Sequence, residues 1–434
     1  MNNAKHVRKL IARINEVIRR QLISILEHYE FKNLLSNWSC LYCLSRMADN
    51  NVKIKIINLK LEEISNLIGG DDELGSLISQ KVFNELDLPG NDPLSILIGS
   101  YNFDVSKESS VKILGHFAEL GSNAFVPFIT SITSKVFGVE KFSQLSQINL
   151  NNISKSNAFK HLVKLAKTDE ANFLGLVIPD AFFPSLLAYS NNSFNRYILG
   201  VDSKKYTMIL GNGAYMFVAL TINSFIDTGW FLDITGEPTI NLLNYSKGEI
   251  INNPNTFFTN EFEKIPYIFF KYTAECFISE HKEKELVDLG FIPLCEVLNR
   301  NFALFYSTTS LKNLDISIDR DTTKYKIPAA LSYMLCACRF AHYIKIIGRE
   351  KLGSYYNVSK FQDYLNNWLL QYISSDIETP LPLKYKYPLL DAKVTVMEDN
   401  FLQDKYICYI SLKPHLTSAQ LSANLVLKTQ LTNS

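Results

Sequence analysis

The stretch RFAHYIKIIGREKLG, Arg339 to Gly353, decides how the C-terminal part of this 434-residue chain is read. It completes a helix expected from Pro328 to Ile347, which carries Ala329, Ala330, Cys336, Ala337, Cys338 and Ala341, small side chains that let another element come close. Pro328 suits the first turn, where a missing N–H costs no intrahelical bond. Arg339, His342, Lys345 and Arg349 recur three or four residues apart, so they share one narrow stripe of the helix. A charged stripe on an otherwise apolar helix needs a partner. That partner is either an acidic surface of another chain or carboxylates of the same domain.

A second helix containing Trp368 follows, and then three runs alternate as half-buried strands do. Ala392, Val394 and Val396 alternate with Lys393 and Thr395. Tyr406, Cys408, Ile410 and Leu412 form the next run, and Leu421, Ala423, Leu425 and Leu427 the last. Glu398 to Asp404 is a hairpin-length link and Pro414 closes the second run. The predicted strands are 391–398, 405–413 and 420–431. A small sheet at a chain end leaves unpaired backbone N–H and C=O groups, which invite a strand from another chain unless something covers them.

Working back, a polar loop at 310–325 precedes Pro328 and marks a domain boundary: residues 1–325 as a larger mixed domain, 326–434 as a helix-and-sheet domain. The fold class is α+β. Val7, Leu10, Ile11, Ile14, Val17, Ile18, Leu22, Ile25 and Leu26 recur at helical spacing, giving an amphipathic helix over 4–30. Its other face carries Lys5, Arg8, Lys9, Arg13, Arg19 and Arg20 against a single Glu16. That face either meets an anionic surface or is simply solvated above a stripe covered by the core, the commoner arrangement. From 50 to 110, VKIKIINLKL and the turn-like GGDDELG predict alternating strands and helices. Gly211 to Thr228 reads as a helix stopped at Gly229. The Asn- and Ser-rich stretches 189–205 and 241–260 read as surface insertions.

A hydrophobic share of 47% with 20% charged residues marks a globular chain, and a net charge of +1 implies no bulk attraction to nucleic acid or anionic membranes. Seven cysteines without framework spacing are expected as free thiols in a reducing compartment. No run of about 18 uncharged apolar residues appears. Phe173 to Tyr189 comes nearest and is interrupted by Pro179, Asp180 and Pro184.

No motif in the sequence carries a recognisable chemistry. Cys40 and Cys43 have CxxC spacing, but a structural zinc needs two more ligands and none follows in register. His281-Lys282-Glu283 lacks the cysteine pair of a zinc deaminase, Cys295 standing alone. Gly211-Asn212-Gly213 before a helix has no third glycine or P-loop lysine and is more simply a turn. His116, His161 and His342 sit in apolar patterns typical of core histidines, and no GxSxG or HExxH occurs. No catalytic residue, cofactor or metal is expected.

Phe31 to Leu44 with Trp38 inside it, YNFDV (Tyr101–Val105), FGVEKFSQL (Phe137–Leu145), LGNGAY (Leu210–Tyr215), EKELVDLGFIPL (Glu283–Leu294), RFAHYIKIIGREKLG and SLKPHL (Ser411–Leu416) occur in that order. In these the chain resembles, nearly end to end, the large sheath subunit of bacterial type VI secretion systems, the TssC/VipB family. Leu35, Ser39 and Cys40 stand where the family usually has an acidic residue, arginine and glycine. Leu210 replaces a usual tryptophan, and Asp180 and Pro184 replace usual arginines, so the chain is a divergent member. Its first helix begins almost at Met1, where family members carry an extended arm.

The resemblance implies a cytoplasmic bacterial subunit that is not an enzyme. Such a subunit pairs with a small sheath protein (TssB/VipA-like), polymerises into a helical tube around an inner tube (Hcp-like) and contracts to propel it. It also implies a baseplate, and an AAA+ unfoldase (ClpV-like) acting mainly through the small subunit, with no nucleic acid and no membrane insertion. Strands exchanged between subunits agree with the sheet read from alternation. On that reading the intersubunit residues are Val394, Val396, Tyr406, Cys408, Ile410, Leu421, Ala423, Leu425 and Leu427, with the Arg339, His342, Lys345 and Arg349 stripe near an interface. A phage-tail or extracellular contractile particle sheath is the related alternative. It would form tubes without a small partner.

Overall fold

The computed structural model describes residues 2–68, 93–150, 153–189, 208–235, 249–251, 274–296, 302–314, 330–351, 358–374, 381–398, 405–415 and 425–432. Pro328, the expected boundary at 325, Leu421, Ala423, the GGDDELG turn and most of the two Asn- and Ser-rich stretches lie outside these residues.

Two helices open the chain, α1 (Asn2–Glu27) and α2 (Tyr29–Met47), separated at His28, whose backbone is extended. Then come α3 (Leu61–Ile68), β1 (Leu97–Phe103), α4 (Glu108–Ala124), β2 (Phe128–Ile132), α5 (Lys160–Ala166) and β3 (Leu174–Ile178). Next are β4 (Ala181–Pro184), β5 (Met208–Gly211), α6 (Ala214–Thr228), β6 (Glu249–Ile251), α7 (Glu280–Asp288), β7 (Ile292–Pro293), β8 (Cys295–Glu296) and β9 (Phe302–Leu304). The C-terminal part holds α8 (Leu331–Lys351), α9 (Val358–Leu370), β10 (Leu389–Glu398), β11 (Lys405–Pro414) and β12 (Leu425–Thr432).

Strands β1, β2, β3 and β7 form one parallel sheet in that order. All five residues of β2 and all five of β3 are buried, as befits parallel strands covered on both faces. Their polar side chains are satisfied inside: the Thr130 hydroxyl donates to Gly99 O at 2.9 Å and the Ser131 hydroxyl to Val177 O at 2.9 Å. One core lies against this sheet with α4, α5 and α7, and its Phe117 and Phe128 rings stack at 4.3 Å. The VKIKIINLKL run is a departure from expectation. Residues 52–60 belong to no sheet, and the chain enters α3 directly after them.

A second core joins α2 and α6 to α8, α9 and the antiparallel β10–β11–β12 sheet. Leu331, Met334, Leu335, Phe340 and Ile344 of α8 lie in it with Tyr215 and Phe217 of α6 and with Val394, Cys408 and Ile410 of the sheet. The interior is therefore continuous across the sequence boundary between the two parts. Helix α8 starts and ends a few residues later than expected and runs through the buried Gly348. Helix α6 ends as expected at Gly229, whose φ of 78° is the left-handed conformation that favours glycine.

Candidate functional site

The C-terminal sheet is the first candidate. Its alternating residues Val394, Val396, Cys408, Ile410 and Leu427 are buried, and Tyr406 packs partly buried against them. In the ladder Leu425 pairs with Leu412. The buried ones among these side chains belong to the subunit's own interior, while Asp391, Lys393 and Met397 on the other face of β10 are exposed.

The two edges differ. Along β10, the Asn366 carboxamide of α9 accepts from Val394 N–H at 2.8 Å and donates to Val394 O at 3.0 Å. The Gln362 carboxamide accepts from Val396 N–H at 3.0 Å. At the start of the strand, Leu389 N–H donates to Tyr372 O at 3.2 Å and Leu389 O accepts from Ser374 N–H at 2.9 Å. This edge is closed by α9 and the residues just after it. In antiparallel ladders, residues facing one neighbour alternate with residues facing the other. Since Val394 turns outward to Asn366, its partner Ile410 turns toward β12, where it pairs with Leu427. Val426, Lys428 and Gln430 of β12 consequently direct their N–H and C=O groups outward, and among the described residues β12 pairs only with β11.

The α8 stripe is drawn into the molecule. Arg339 lies over the rings of Phe225, Trp230 and Phe231, which follow or end α6, at 4.6, 5.3 and 5.9 Å. It donates to the Tyr343 hydroxyl at 2.8 Å. His342 is 5% exposed, and its Nε2 lies 2.9 Å from Ala124 O at the end of α4. A carbonyl only accepts, so Nε2 carries a proton and donates it to Ala124 O. Burial pushes its pKa down to about 4. Lys345 Nζ stands 4.9 Å from the centre of the Phe125 ring. Arg349 is half-buried in the last turn of α8. Beside this stripe Phe340 stacks on Trp230 at 4.5 Å and meets Trp368 and Tyr372 edge-on, an aromatic group shared by both halves of the chain. Sequence spacing found the stripe but not its aromatic partners, which lie over a hundred residues away.

The amphipathic α1 is the third candidate. Its stripe is not covered by the core: Val7, Leu10, Ile11, Ile14, Val17, Ile18 and Ile25 are all exposed, Ile14 to 58%. Only Leu26 is buried, beside the half-buried Leu22 and Ile23, where α1 packs on α2.

The remaining candidates are structural. Asn212 caps the N-terminus of α6, accepting from Ala214 N–H at 2.9 Å and donating to Tyr101 O at 2.9 Å. A side chain at Gly211 would collide with Cys40 Sγ and Phe183. Cys40 and Cys43 are buried thiols, Cys40 raised by desolvation. His116 and His161 are surface residues near Glu119 and Glu108 rather than core histidines. Asp180 is held by Asn102 Nδ2 at 3.2 Å, yet its buried Oδ1 has no partner, and burial followed by Glu275 raises its pKa to about 7. Among the described residues no group of histidine, cysteine and carboxylate side chains could hold a metal, and no helix is long and apolar enough to cross a membrane.

Residues 8–312 match the family model described as "EvpB/VC_A0108, tail sheath N-terminal domain", and residues 320–431 match "EvpB/VC_A0108, tail sheath gpW/gp25-like domain". The type VI secretion system sheath protein TssC1 of Pseudomonas aeruginosa is 29% identical over 445 residues, spanning 98% of this chain and 86% of that protein. A chain in the cryo-EM structure of the anti-feeding prophage baseplate aligns with a TM-score of 0.41 and 11% identity, covering 88% of this chain and 83% of its own.

Proposed function

This chain belongs to the EvpB/VC_A0108 tail sheath family as a divergent large sheath subunit of a type VI secretion system, and from that premise we propose how it assembles. The family is one of structural sheath proteins, not enzymes. The subunit works in the cytoplasm, pairing with a small sheath protein and stacking into a helical tube around an inner tube. Contraction of that tube, seated on a baseplate, drives the inner tube outward. Spent sheaths are taken apart by an AAA+ unfoldase that grips mainly the small protein.

The observation carrying this reading is the unequal sheet. Asn366 and Gln362 close β10, while Val426, Lys428 and Gln430 leave β12 with outward backbone groups. An edge of that kind accepts a strand from another chain through main-chain hydrogen bonds. The intersubunit contact is therefore made on β12, and the alternating residues of β10 and β11 serve as its support. The apolar stripe of α1 seats a helix of the small partner, because an exposed row of seven large apolar residues asks for a cover. Arg339, His342 and Lys345 tie α8 to the first domain, so a displacement of the sheet is passed inward.

Electron microscopy of the chain co-expressed with a small sheath subunit tests this. Hollow filaments containing both chains are expected. Filaments formed by this chain alone would favour a one-component sheath, and two monomers that never associate would end the mechanical reading.

A further inference from the structure

The segment Ala274–Cys276, just before α7, runs from one core to the other. Ala274 lies in the core around α6 and α8, while Cys276 packs on the core around α4 and α7. An antiparallel bridge holds the segment to β4: Ala181 opposes Ala274, and Glu275 N–H donates to Asp180 O at 2.8 Å. Residues opposed across such a bridge carry their side chains on the same face, so the Asp180 and Glu275 carboxyls leave the backbone opposite each other. Like charges in that position repel. Asp180 is braced on one side, its carboxyl accepting from Asn102 Nδ2 of β1 at 3.2 Å. Its Oδ1 is closed to solvent and has no partner among the described residues.

The groups around the pair leave it to settle its own charge. On the α2 side stands the Cys40 thiol, which burial keeps protonated. Beside Glu275 are the Cys276 thiol, pushed up to about 12 by burial, and the exposed Lys141, whose charge favours the ionised Glu275. Glu296 of β8 accepts from Ala274 N–H at 3.2 Å. A bare, sealed oxygen facing a second carboxylate has no entry for a hydrated ion, but it can hold a proton. We propose that Asp180 and Glu275 share one proton, the Asp180 O–H donating to the Glu275 carboxylate, and that this bond latches the segment before α7 to β4 until the proton leaves. Burial, and then Glu275, raises the Asp180 carboxyl to about 7, so the latch is closed in mildly acid solution and opens in mildly basic solution. Once it opens, two carboxylates face each other and the Glu275 N–H bond to Asp180 O loosens.

Hydrogen–deuterium exchange of the full chain at about pH 6 and about pH 8.5, corrected for the intrinsic pH dependence of amide exchange, tests the latch. Protection of the Glu275 amide is expected to fall about tenfold across that range. The Leu311 amide, bonded to Leu174 O at the other end of β3, should keep its protection. Glu275→Gln removes the opposing charge and offers Asp180 an amide donor, and Asp180→Asn does the converse. Each variant should hold the protection level across the range. Glu275 is half-buried, so its variant still decides the matter if Asp180→Asn fails to fold. Constant protection in the wild type overturns the proposal. A fall that persists in Glu275→Gln also overturns it, by making the burial of Asp180 the whole cause. An equal loss at Leu311 does the same, by showing that the entire chain loosens.

Discussion

Asn366 substitutes for a β-strand: its carboxamide takes the N–H of Val394 at 2.8 Å and serves the C=O of the same residue at 3.0 Å, the two bonds a neighbouring strand would make. Helix α9 thereby gives the C-terminal sheet one shut side. Asn366→Ala should cost about 1–3 kcal/mol, the penalty for stranding partly buried backbone groups, and should expose β10 to self-association. Urea unfolding measures the first, and sedimentation velocity at rising concentration the second. A variant that unfolds with the wild type and stays monodisperse would show that the closure is inert.

Val426→Pro tests the opposite side. Val426 pairs with Ser411 at a position whose N–H faces away from β11, so proline removes an outward donor and leaves the β11–β12 bonds in place. We expect a soluble chain, still bound to its small partner, that forms no sheaths. Filaments of normal length under negative stain would refute strand addition at β12.

His342 makes stability depend on pH. Its folded pKa of about 4 lies below its ordinary value of 6.5, so the unfolded chain binds a proton that the folded chain refuses. The sign is destabilisation as pH falls from about 6.5 to about 4, by on the order of 3 kcal/mol in all, with no further loss below. His342→Gln, which keeps a donor for Ala124 O, should flatten that part of the unfolding profile. An unchanged slope between pH 6.5 and 4 would rule out the histidine.

Asp180 acts in the opposite sense. With its pKa raised to about 7, the folded carboxyl keeps a proton that the unfolded chain releases above about 4, so stability declines between those values. Asp180→Asn should therefore stabilise the chain at pH 8, by on the order of 2 kcal/mol, and bring no gain at pH 4. Thermal midpoints at the two pH values decide it, and equal effects at both would remove the carboxyl as the cause.

Arg339→Lys should cost about 1–2 kcal/mol despite keeping the charge, because an ammonium cannot spread over the rings of Phe225, Trp230 and Phe231 as a planar guanidinium does. Denaturant midpoints of Arg339→Lys and Arg339→Met should be closely matched. Full retention of stability by lysine would mean that charge alone matters.

What could be read in advance follows from how each segment is buried. β10 and β11 have one face inside, so Val394, Val396, Cys408 and Ile410 alternate visibly with polar neighbours. β2 and β3 are covered on both faces, so β3 is a continuous apolar run and β2, with Thr130 and Ser131 in it, does not alternate, which hid the parallel sheet. For α1 the periodicity located an apolar face correctly but could not say what lies against it, and in this chain nothing among the described residues covers Ile11 or Ile14. The spacing of Arg339 and His342 placed them together, while their partners, Phe225 and Ala124, are brought near only by the tertiary fold. Residues 52–60 carry a strand's alphabet, yet among the described residues they pair with no strand.

The pairing of β11 with β12 sets how this sheet would behave under tension. A strand joined to β12 and drawn along its axis would load eight residue pairs, from Lys405–Thr432 to Leu412–Leu425, in shear. They would then share the force instead of parting one at a time as in peeling. The pull would pass onward through the Tyr333 hydroxyl, bonded to Leu412 O at 2.6 Å, into α8. A ring of such subunits would be stiff to stretching along its strands and yielding to any motion that prises the outer strand sideways.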